Sequence, residues 1–270
     1  MSNKFHRALA ELAHDILMNQ MRVIHTGRAK EVAFSRVDLA STLAAVLLLL
    51  LLLPALADSR SHAGRTICRN NLRQMANASA MYATDNLELM AYPNWGSSGS
   101  GWLFTGASGS IPDPTRGTYL TNPIAAYRTG LWFDYVRDTN AYLCPIDLES
   151  PYYKSRANKL SSYVMNGAVC GYGQSTTTCK ITDPWSPECY LLYQPDESLG
   201  QPPIGAFAYN DGSSYPDRNE GIAALHSAAT ADILTIGGSV RSVTKARVNK
   251  EQSSAGKSFA WWNPSSPNGR

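Results

Sequence analysis

The sequence predicts an α+β fold in which one long N-terminal helix is followed by loops and then by an antiparallel β-sheet. An uncharged stretch from Leu39 to Ala57, and helically spaced apolar residues after it, predict the helix. Loops rich in Gly, Ser, Pro and Thr occupy Pro93 to Pro123. In the second half of the chain, short apolar runs bounded by Gly, Asn or Pro predict the strands.

The uncharged stretch reads LASTLAAVLLLLLLLPALA. As a helix rising about 1.5 Å per residue it would be about 28 Å long, which matches one crossing of a bilayer. Lysines and arginines are numerous before this stretch, although Arg60 and Arg65 follow it. Their distribution favours a cytoplasmic N-terminus and a single-pass membrane protein.

A buried stripe is predicted beyond the uncharged stretch, where residues at spacings of three and four would share one helix face. Its members are Cys68, Leu72, Met75, Ser79 and Tyr82. Asp85-Asn86 would end the helix, so we expect it to run from about Phe34 to Asp85 with a bend near Pro54.

The predicted elements after this helix are a short helix and several strands. The short helix lies within Ile124 to Arg137. Gly237-Gly238 lies between two apolar runs and predicts a tight hairpin turn. The predicted strands are Ala141 to Cys144, Ser161 to Asn166, Tyr190 to Tyr193, Ala206 to Tyr209, Ala231 to Ile236 and Val240 to Val243.

The charge balance gives no strong sign of a nucleic-acid partner. The chain has 270 residues, a formal net charge of +3 and 17% charged residues, whereas nucleic-acid-binding domains are usually strongly basic. Arg241, Lys245, Arg247 and Lys250 form a modest basic strip. A solvated strand face explains this strip as well as a DNA-binding surface does, so we do not expect nucleic acid as a partner.

The cysteines favour disulfides outside the cytoplasm. None of the five lies at a C-x-x-C spacing typical of zinc or thioredoxin-like sites. Cys170 and Cys179 bound a Gly/Thr-rich loop that a local disulfide can close. Two free buried thiols are the alternative, and the odd number leaves at least one thiol free or bonded between chains.

We find no convincing catalytic or metal-binding motif. His226 is the only histidine beyond residue 62 and has no recognisable serine or cysteine motif beside it, which favours a structural role. Asn210-Asp211-Gly212 with Asp217 resembles a calcium loop, but Asx-Gly turns are far commoner. We therefore expect a protein that is not an enzyme and has no cofactor or resident metal.

Two alternative processing signals precede the globular part. Ala55-Leu56-Ala57 before Asp58 fits cleavage by signal peptidase, although the region before the apolar stretch is unusually long for a signal peptide. Ala33-Phe34-Ser35-Arg36-Val37-Asp38-Leu39 instead resembles a prepilin cleavage motif, a small residue followed by FTLIEL. The first signal makes a soluble secreted domain, and the second keeps the apolar helix.

The prepilin-like motif is one of several segments that resemble type IV pilin-like proteins and type II secretion pseudopilins, of the kind common among Planctomycetes and Verrucomicrobia. Pro54 and the sequence LLLLPALA resemble the end of the family's apolar helix. TICRNNLRQMANASAMYATDN, LCPID and SYVMN resemble its C-x-x-NL+Q, MYA-x-DN, CPSD and SYAMN segments. HSAATADILTIGGSV resembles its histidine segment before Asp-Gly, and WWNP resembles its tail.

Three positions depart from the family pattern. Arg36 is a charge where the family has leucine, and Asp38 is shorter than the family's glutamate. Gly237-Gly238 replaces Asp-Gly. The first two departures bear on cleavage of the leader more than on the fold.

The resemblance implies a pilin-like fold, with a long transmembrane helix packed on an antiparallel sheet. Residues 1–33 would be a cytoplasmic leader cleaved between Ala33 and Phe34 by prepilin peptidase. Residues 34–57 would cross the inner membrane and carry assembly, 58–86 would be the amphipathic half of the helix, and 87–270 would be a periplasmic head. The carboxylate at Asp38 would pair with the N-terminus of a neighbouring subunit.

The implied function is that of a structural pilin-like subunit in a type II secretion or type IV pilus-like filament. Its partners would be further copies, other pseudopilins and an inner-membrane assembly platform, and a filament could carry the head outside the cell. The alternative is a membrane-anchored or secreted surface binding module, cleaved after Ala57, that forms no filament.

Overall fold

The computed structural model describes residues 36–106, 109–198, 211–217 and 220–270. For residues 36–39, 47 and 49–61 it describes the backbone and not the side chains. The chain divides into two units, Met1–Leu56 and Ala57–Arg270, which are described separately.

Helix α1 spans Arg36–Asp85 and therefore ends at the residue where the sequence predicts its end. The chain leaves the helix through Leu87 and Glu88, which have φ values of 55° and 68° in the left-handed region. The Glu88 N–H donates to the Ala83 carbonyl at 2.8 Å. This bond satisfies one of the carbonyls that a helix end leaves without a partner.

Among the residues that the structure describes, no helix combines the length and apolarity that a membrane crossing requires. Most of the predicted span, at 47 and 49–57, lies on residues whose side chains are outside the description.

Shorter elements follow α1 along the chain. Among the residues described, 3₁₀ turns lie at Gly117–Tyr119, Thr139–Tyr142 and Gly167–Cys170. The helices are α2 (Pro123–Tyr127), α3 (Phe133–Val136), α4 (Pro145–Leu148) and α5 (Lys245–Gln252). The strands are β1 (Gly99–Ser100), β2 (Thr105–Gly106), β3 (Val164–Asn166), β4 (Tyr190–Tyr193), β5 (Ser213–Ser214), β6 (Thr230–Thr235) and β7 (Val240–Thr244).

In the described part of the chain, the main sheet has five strands in the order β5-β3-β4-β6-β7. All neighbouring pairs are antiparallel except β3 and β5, which are parallel. The α+β class and the largely antiparallel sheet predicted from the sequence are therefore confirmed. Strands β1 and β2 form a separate small hairpin.

The hairpin between β6 and β7 forms at Gly237-Gly238, as predicted. Gly238 has φ 82°, a conformation that side chains rarely adopt. The Thr235 N–H donates to the Ser239 carbonyl at 2.9 Å across the turn. The turn places Leu234 opposite Val240 and fixes the register of the whole pair.

The predicted helix stripe joins the main core. Cys68, Leu72, Met75 and Ser79 are at most 3% exposed, and Tyr82 is partly buried against the same core. Strands β3 and β4 are buried at every residue, so both faces of the sheet centre are covered. The sequence therefore identified the packing face of α1 correctly.

Aromatic side chains anchor the long loops after α1 in the core. Trp102 and Phe104 are fully buried, and Trp95 is partly buried against the core. The Trp102 indole N–H donates to the Gly212 carbonyl at 2.9 Å. This bond ties the loops after α1 to the start of β5.

One strand prediction for this region is wrong. Ala141 to Cys144 is not a strand, because Asp138 accepts a hydrogen bond from the Asn140 N–H and starts a 3₁₀ turn, and Pro145 then begins α4. The short helix predicted within Ile124 to Arg137 is found as α3, and α2 precedes it. Gly130 lies between the two helices, and a Cβ there would lie 2.3 Å from the Leu103 carbonyl oxygen.

Other strand predictions are correct only in part or lie outside the description. Strand β3 begins at Val164 rather than Ser161, because Ser161 accepts the Tyr163 N–H in a local turn. Strands β4, β6 and β7 lie where predicted, to within one residue at each end. Ala206 to Tyr209 lies outside the described residues.

Met75→Ala should lower the free energy of unfolding by about 2–5 kcal/mol, because Met75 is fully buried in the stripe of α1 and its loss leaves a cavity. Met81→Ala on the same helix is the control. Met81 is 52% exposed, so this change should stay within about 0.5 kcal/mol. Urea denaturation followed by tryptophan fluorescence measures both, and equal losses would contradict the assigned packing face.

Candidate functional site

The residues predicted for processing and assembly are only partly described. Ala33 and Phe34 lie outside the described residues. Asp38 and Pro54 belong to α1 by their backbone, but their side chains are outside the description. The structure therefore leaves the predicted roles of these four residues as predictions.

The N-terminal unit presents apolar side chains to its surroundings. Leu43, Val46 and Leu48 on α1 are 59%, 54% and 63% exposed. Residues 40–46 are all exposed, so this part of the helix has no covered face within the described residues. Such a surface is unfavourable in water and is typical of a segment covered by lipid or by other helices.

In the C-terminal unit, two arginines of α1 bind one aspartate of the sheet. Arg65 Nε lies 2.8 Å from Asp232 Oδ2, and Arg69 Nη1 lies 3.3 Å from Asp232 Oδ1. Ser242 of β7 donates to the same carboxylate at 2.6 Å. The side chain of Asp232 is only 4% exposed. The carboxylate thus fixes α1 against β6 and β7.

Burial raises the pKa of Asp232, but hydrogen bonds from Arg65 and Ser242 and the two nearby arginine charges outweigh burial and lower it overall. Asp232 therefore stays ionised at neutral pH. It acts as a structural anion, since its oxygens are occupied by these donors.

A second group of side chains, the Cys–Cys–His cluster, consists of Cys68, Cys144 and His226. One ligand atom from each residue lies within 4.8 Å of those of the other two. Cys144 Sγ lies 3.3 Å from His226 Nε2. Both cysteines are buried and His226 is half-buried, so the cluster lies near the surface.

Each member of the cluster comes from a different part of the fold. Cys68 lies in α1, Cys144 directly precedes α4, and His226 precedes β6. The Cys144 N–H donates to Ser162 Oγ at 2.8 Å, which fixes the backbone at that position. Nδ1 of His226 is buried and has no hydrogen-bond partner among the described residues.

The two thiols of the cluster differ in acidity. The hydrogen bond from Cys68 lowers the pKa of Cys144 to about 5, with His226 contributing in the same direction and burial opposing it. The same contact and burial raise the pKa of Cys68 above its ordinary value.

The structure gives His226 a neighbour that the sequence did not reveal. No serine or cysteine motif is recognisable beside it in the chain, yet Cys144, which is 82 positions away, is in contact with it. No local spacing predicts this contact. Cys68, Cys144 and His226 all lie in segments that resemble the pilin-like family. This shared feature is the sequence signal that could have pointed to them as a group.

A buried ionic group lies near α4. Arg156 is fully buried and donates to both oxygens of Asp147, one at 3.2 Å, and to Glu197 Oε2 at 3.3 Å. Ser162 also donates to Asp147. One guanidinium thus faces two carboxylates. Burial raises the pKa of Glu197 to about 7, although Arg156 opposes this shift.

The Cys170–Cys179 disulfide remains a prediction. All five cysteines are free thiols in the structure. The Cys179 N–H donates to the Val169 carbonyl at 2.9 Å, so the loop closes through its backbone. This loop and the C-terminal segment 263–270 line an open cavity of about 760 Å³.

The predicted acidic loop is only partly described, because Asn210 lies outside the description. Asp211 accepts hydrogen bonds from the Gly96 N–H at 2.7 Å and from the Ser213 N–H at 2.9 Å. Asp217 accepts from the Glu220 N–H. These carboxylates accept hydrogen bonds from backbone N–H groups in turns, which is a structural role that does not require a calcium ion.

The basic strip lies mainly on a helix rather than on the strand face expected from the sequence. Lys245, Arg247 and Lys250 belong to α5, and Arg241 belongs to β7. Arg241 pairs with Glu188 at 2.8 Å, and Arg247 pairs with Glu251 at 3.4 Å. These pairs neutralise half of the strip.

Asp232→Asn should lower the free energy of unfolding by about 2 kcal/mol at neutral pH, because it removes charge-assisted hydrogen bonds to Arg65 and Arg69. The folded pKa is depressed, so the contribution is present above the ordinary value of 3.8 and is lost as the pH falls further. Urea denaturation from pH 3 to 7 should show the difference shrinking in acid. Glu188→Gln, which breaks an exposed pair with Arg241, should have almost no effect.

Glu197→Gln should make the dependence of stability on pH less steep between about 4.5 and 7, while Glu220, whose pKa burial also raises to about 7, keeps part of the slope. A raised folded pKa means that the native state holds a proton that the unfolded state releases, so wild-type stability falls as the pH rises through this window. The variant has no such proton. Glu88→Gln, at an exposed carboxylate paired with Lys180, is the control and should retain the wild-type slope. Parallel curves for all three proteins would contradict the burial of a protonated Glu197.

Comparisons with known proteins give no independent assignment. No protein-family model, no curated protein and no solved structure matches this chain.

Proposed function

We propose that this chain is a pseudopilin-like structural subunit, anchored by its N-terminal helix and assembled through that helix into a type II secretion or type IV pilus-like filament. The observation that carries the proposal is the two-part character of α1. Its later residues pack by one stripe into the core of the head, whereas Leu43, Val46 and Leu48 remain exposed.

The exposed part of α1 needs a covering that the described residues do not provide. Fully burying each large aliphatic side chain is worth about 1.5–3 kcal/mol. A bilayer and a bundle of neighbouring helices both supply such a cover. A subunit that moves from the membrane into a filament exchanges one for the other, and the same apolar surface serves in both.

Asp38 would set the axial position of one subunit relative to the next. If the leader is removed before Phe34, a new amine lies close to the apolar segment, where an unpaired charge costs several kcal/mol. The carboxylate of Asp38 in a neighbouring subunit offsets this cost. The pairing would fix how far one helix shifts along the next, which apolar contact alone does not do.

The head suits a mechanical role in such a subunit. Arg65 and Arg69 on α1 bind Asp232 on the sheet, so force along the helix passes into the head through charge-assisted contacts as well as apolar packing. We propose further copies, other pseudopilins, prepilin peptidase and an inner-membrane platform as partners. The head would lie in the periplasm or, in a filament, outside the cell, and no catalytic residue is required.

Sequencing the N-terminus of the protein extracted from membranes tests the processing step. We expect Phe34 as the first residue. Asp58 as the first residue would contradict the proposal and favour the alternative, a secreted or surface binding module that forms no filament.

Asp38→Asn tests assembly itself and should abolish recovery of the chain in sheared or cross-linked filaments while leaving it in the membrane. Asp38→Glu keeps the charge and is the matched control, so it should assemble. Asp38→Asn should fail to assemble because it loses the carboxylate that pairs with the neighbouring N-terminus. Filaments from Asp38→Asn in wild-type amounts, or none from the wild-type chain, would overturn the proposal.

A further inference from the structure

We infer that the Cys–Cys–His cluster of Cys68, Cys144 and His226 is a binding site for one thiophilic divalent metal ion of the zinc class. The inference is independent of filament assembly. It rests on the geometry of three donor atoms and on their placement by separate elements.

The donor spacing fits tetrahedral zinc. With Zn–S near 2.3 Å and Zn–N near 2.0–2.1 Å, neighbouring donors around a tetrahedral ion are separated by about 3.5–3.8 Å. Cys144 Sγ and His226 Nε2 are 3.3 Å apart, and all three donors lie within 4.8 Å of one another. An ion between them would require Cys144 Sγ and His226 Nε2 to separate by a few tenths of an ångström, and no pair of donors to close by more than about 1.3 Å.

The chemistry of the donors selects the metal class. Two thiolates and an imidazole are soft and borderline ligands, which favour zinc over calcium or magnesium. Two thiolates also neutralise a divalent ion, so the occupied site carries no net charge and its burial costs little. Three protein ligands leave the fourth tetrahedral position for water or another donor.

The surrounding structure holds the donors in place. Cys68 lies on the same helix as Arg65 and Arg69, whose bonds to Asp232 fix the helix against the sheet. Cys144 is fixed by its N–H bond to Ser162 and by Pro145 at the start of α4. The site is thus largely pre-formed before any ion binds.

Gly64 allows Ile146 to approach α1 beside the cluster. A Cβ at this position would lie 3.1 Å from side-chain atoms of Ile146, which is a tight contact, and 3.9 Å from His226 Cε1, which is an ordinary van der Waals distance. Glycine inside a helix costs about 1 kcal/mol relative to alanine. The close approach of Ile146 accounts for a glycine at this position.

A Cys68–Cys144 disulfide is the competing arrangement. It would use both sulfurs and give His226 no role, although Nε2 of the histidine points at Cys144 Sγ. A metal ion explains all three residues with one interaction. It would also join α1, α4 and the segment before β6, so it would stabilise the head as a whole.

Cobalt(II) titration of the full-length protein, purified in detergent and kept reduced, tests the site. We expect one equivalent of cobalt to produce thiolate charge-transfer bands and the visible bands of a tetrahedral ion, and zinc to displace it. Cys144→Ser and His226→Gln should each lose these bands. Cys189→Ser is the matched control, because Cys189 is also fully buried but lies outside the cluster, and it should bind as the wild type does.

Thermal unfolding provides a second readout. Zinc should raise the midpoint of the wild-type protein and of Cys189→Ser, and a chelator should reverse the shift. His226→Gln, at a half-buried position, keeps the test valid if Cys144→Ser fails to fold. Three results would overturn the inference: no tetrahedral cobalt spectrum from the reduced wild type, an unchanged spectrum from His226→Gln, or a Cys68–Cys144 disulfide in protein extracted from cells under thiol-blocking conditions.

Discussion

The bond between α1 and the sheet at Asp232 determines where the rest of the head is placed. Apolar burial is not directional, so a helix could slide along a sheet by one turn and still bury much of its stripe. Sliding would leave Asp232 buried without Arg65 and Arg69. Removing the partners of a buried charge costs about 3–5 kcal/mol. The ion pairs therefore select one position among several that would bury similar apolar area.

That position has a direct consequence for the Cys–Cys–His cluster. Cys68 lies between the two arginines in sequence, and its side chain belongs to the buried stripe one residue before Arg69. Fixing Arg65 and Arg69 on Asp232 thus also fixes Cys68 beside Cys144. The same axial position of α1 on the sheet therefore produces both contacts. One is the ion pairing of Arg65 and Arg69 with Asp232 at the partly exposed edge of the helix, and the other is the thiol contact in the core.

The sequence was informative where the evidence was local. Spacings of three and four identified the stripe from Cys68 to Tyr82, and Gly237-Gly238 identified the hairpin, because both depend on neighbouring residues. The prediction for Ala141 to Cys144 failed because apolar composition was weighed above the turn-forming side chain of Asp138 and the helix-starting Pro145. The contact of Cys144 with His226 depends on tertiary structure, which no periodicity encodes.

The two ends of α1 differ in which of their faces are covered. From Cys68 onward, the apolar face is paired within the chain, and polar residues such as Arg73 and Thr84 face outward. Over residues 40–46 every side chain is exposed, whether apolar or polar, so no single face is distinguished there. A helix exposed on all sides is suited to a surrounding that is itself uniform, such as lipid or a ring of like helices. In the proposed filament, apolar contact alone would not set the axial position, and a single charged pair would set it, as Asp232 does in the head.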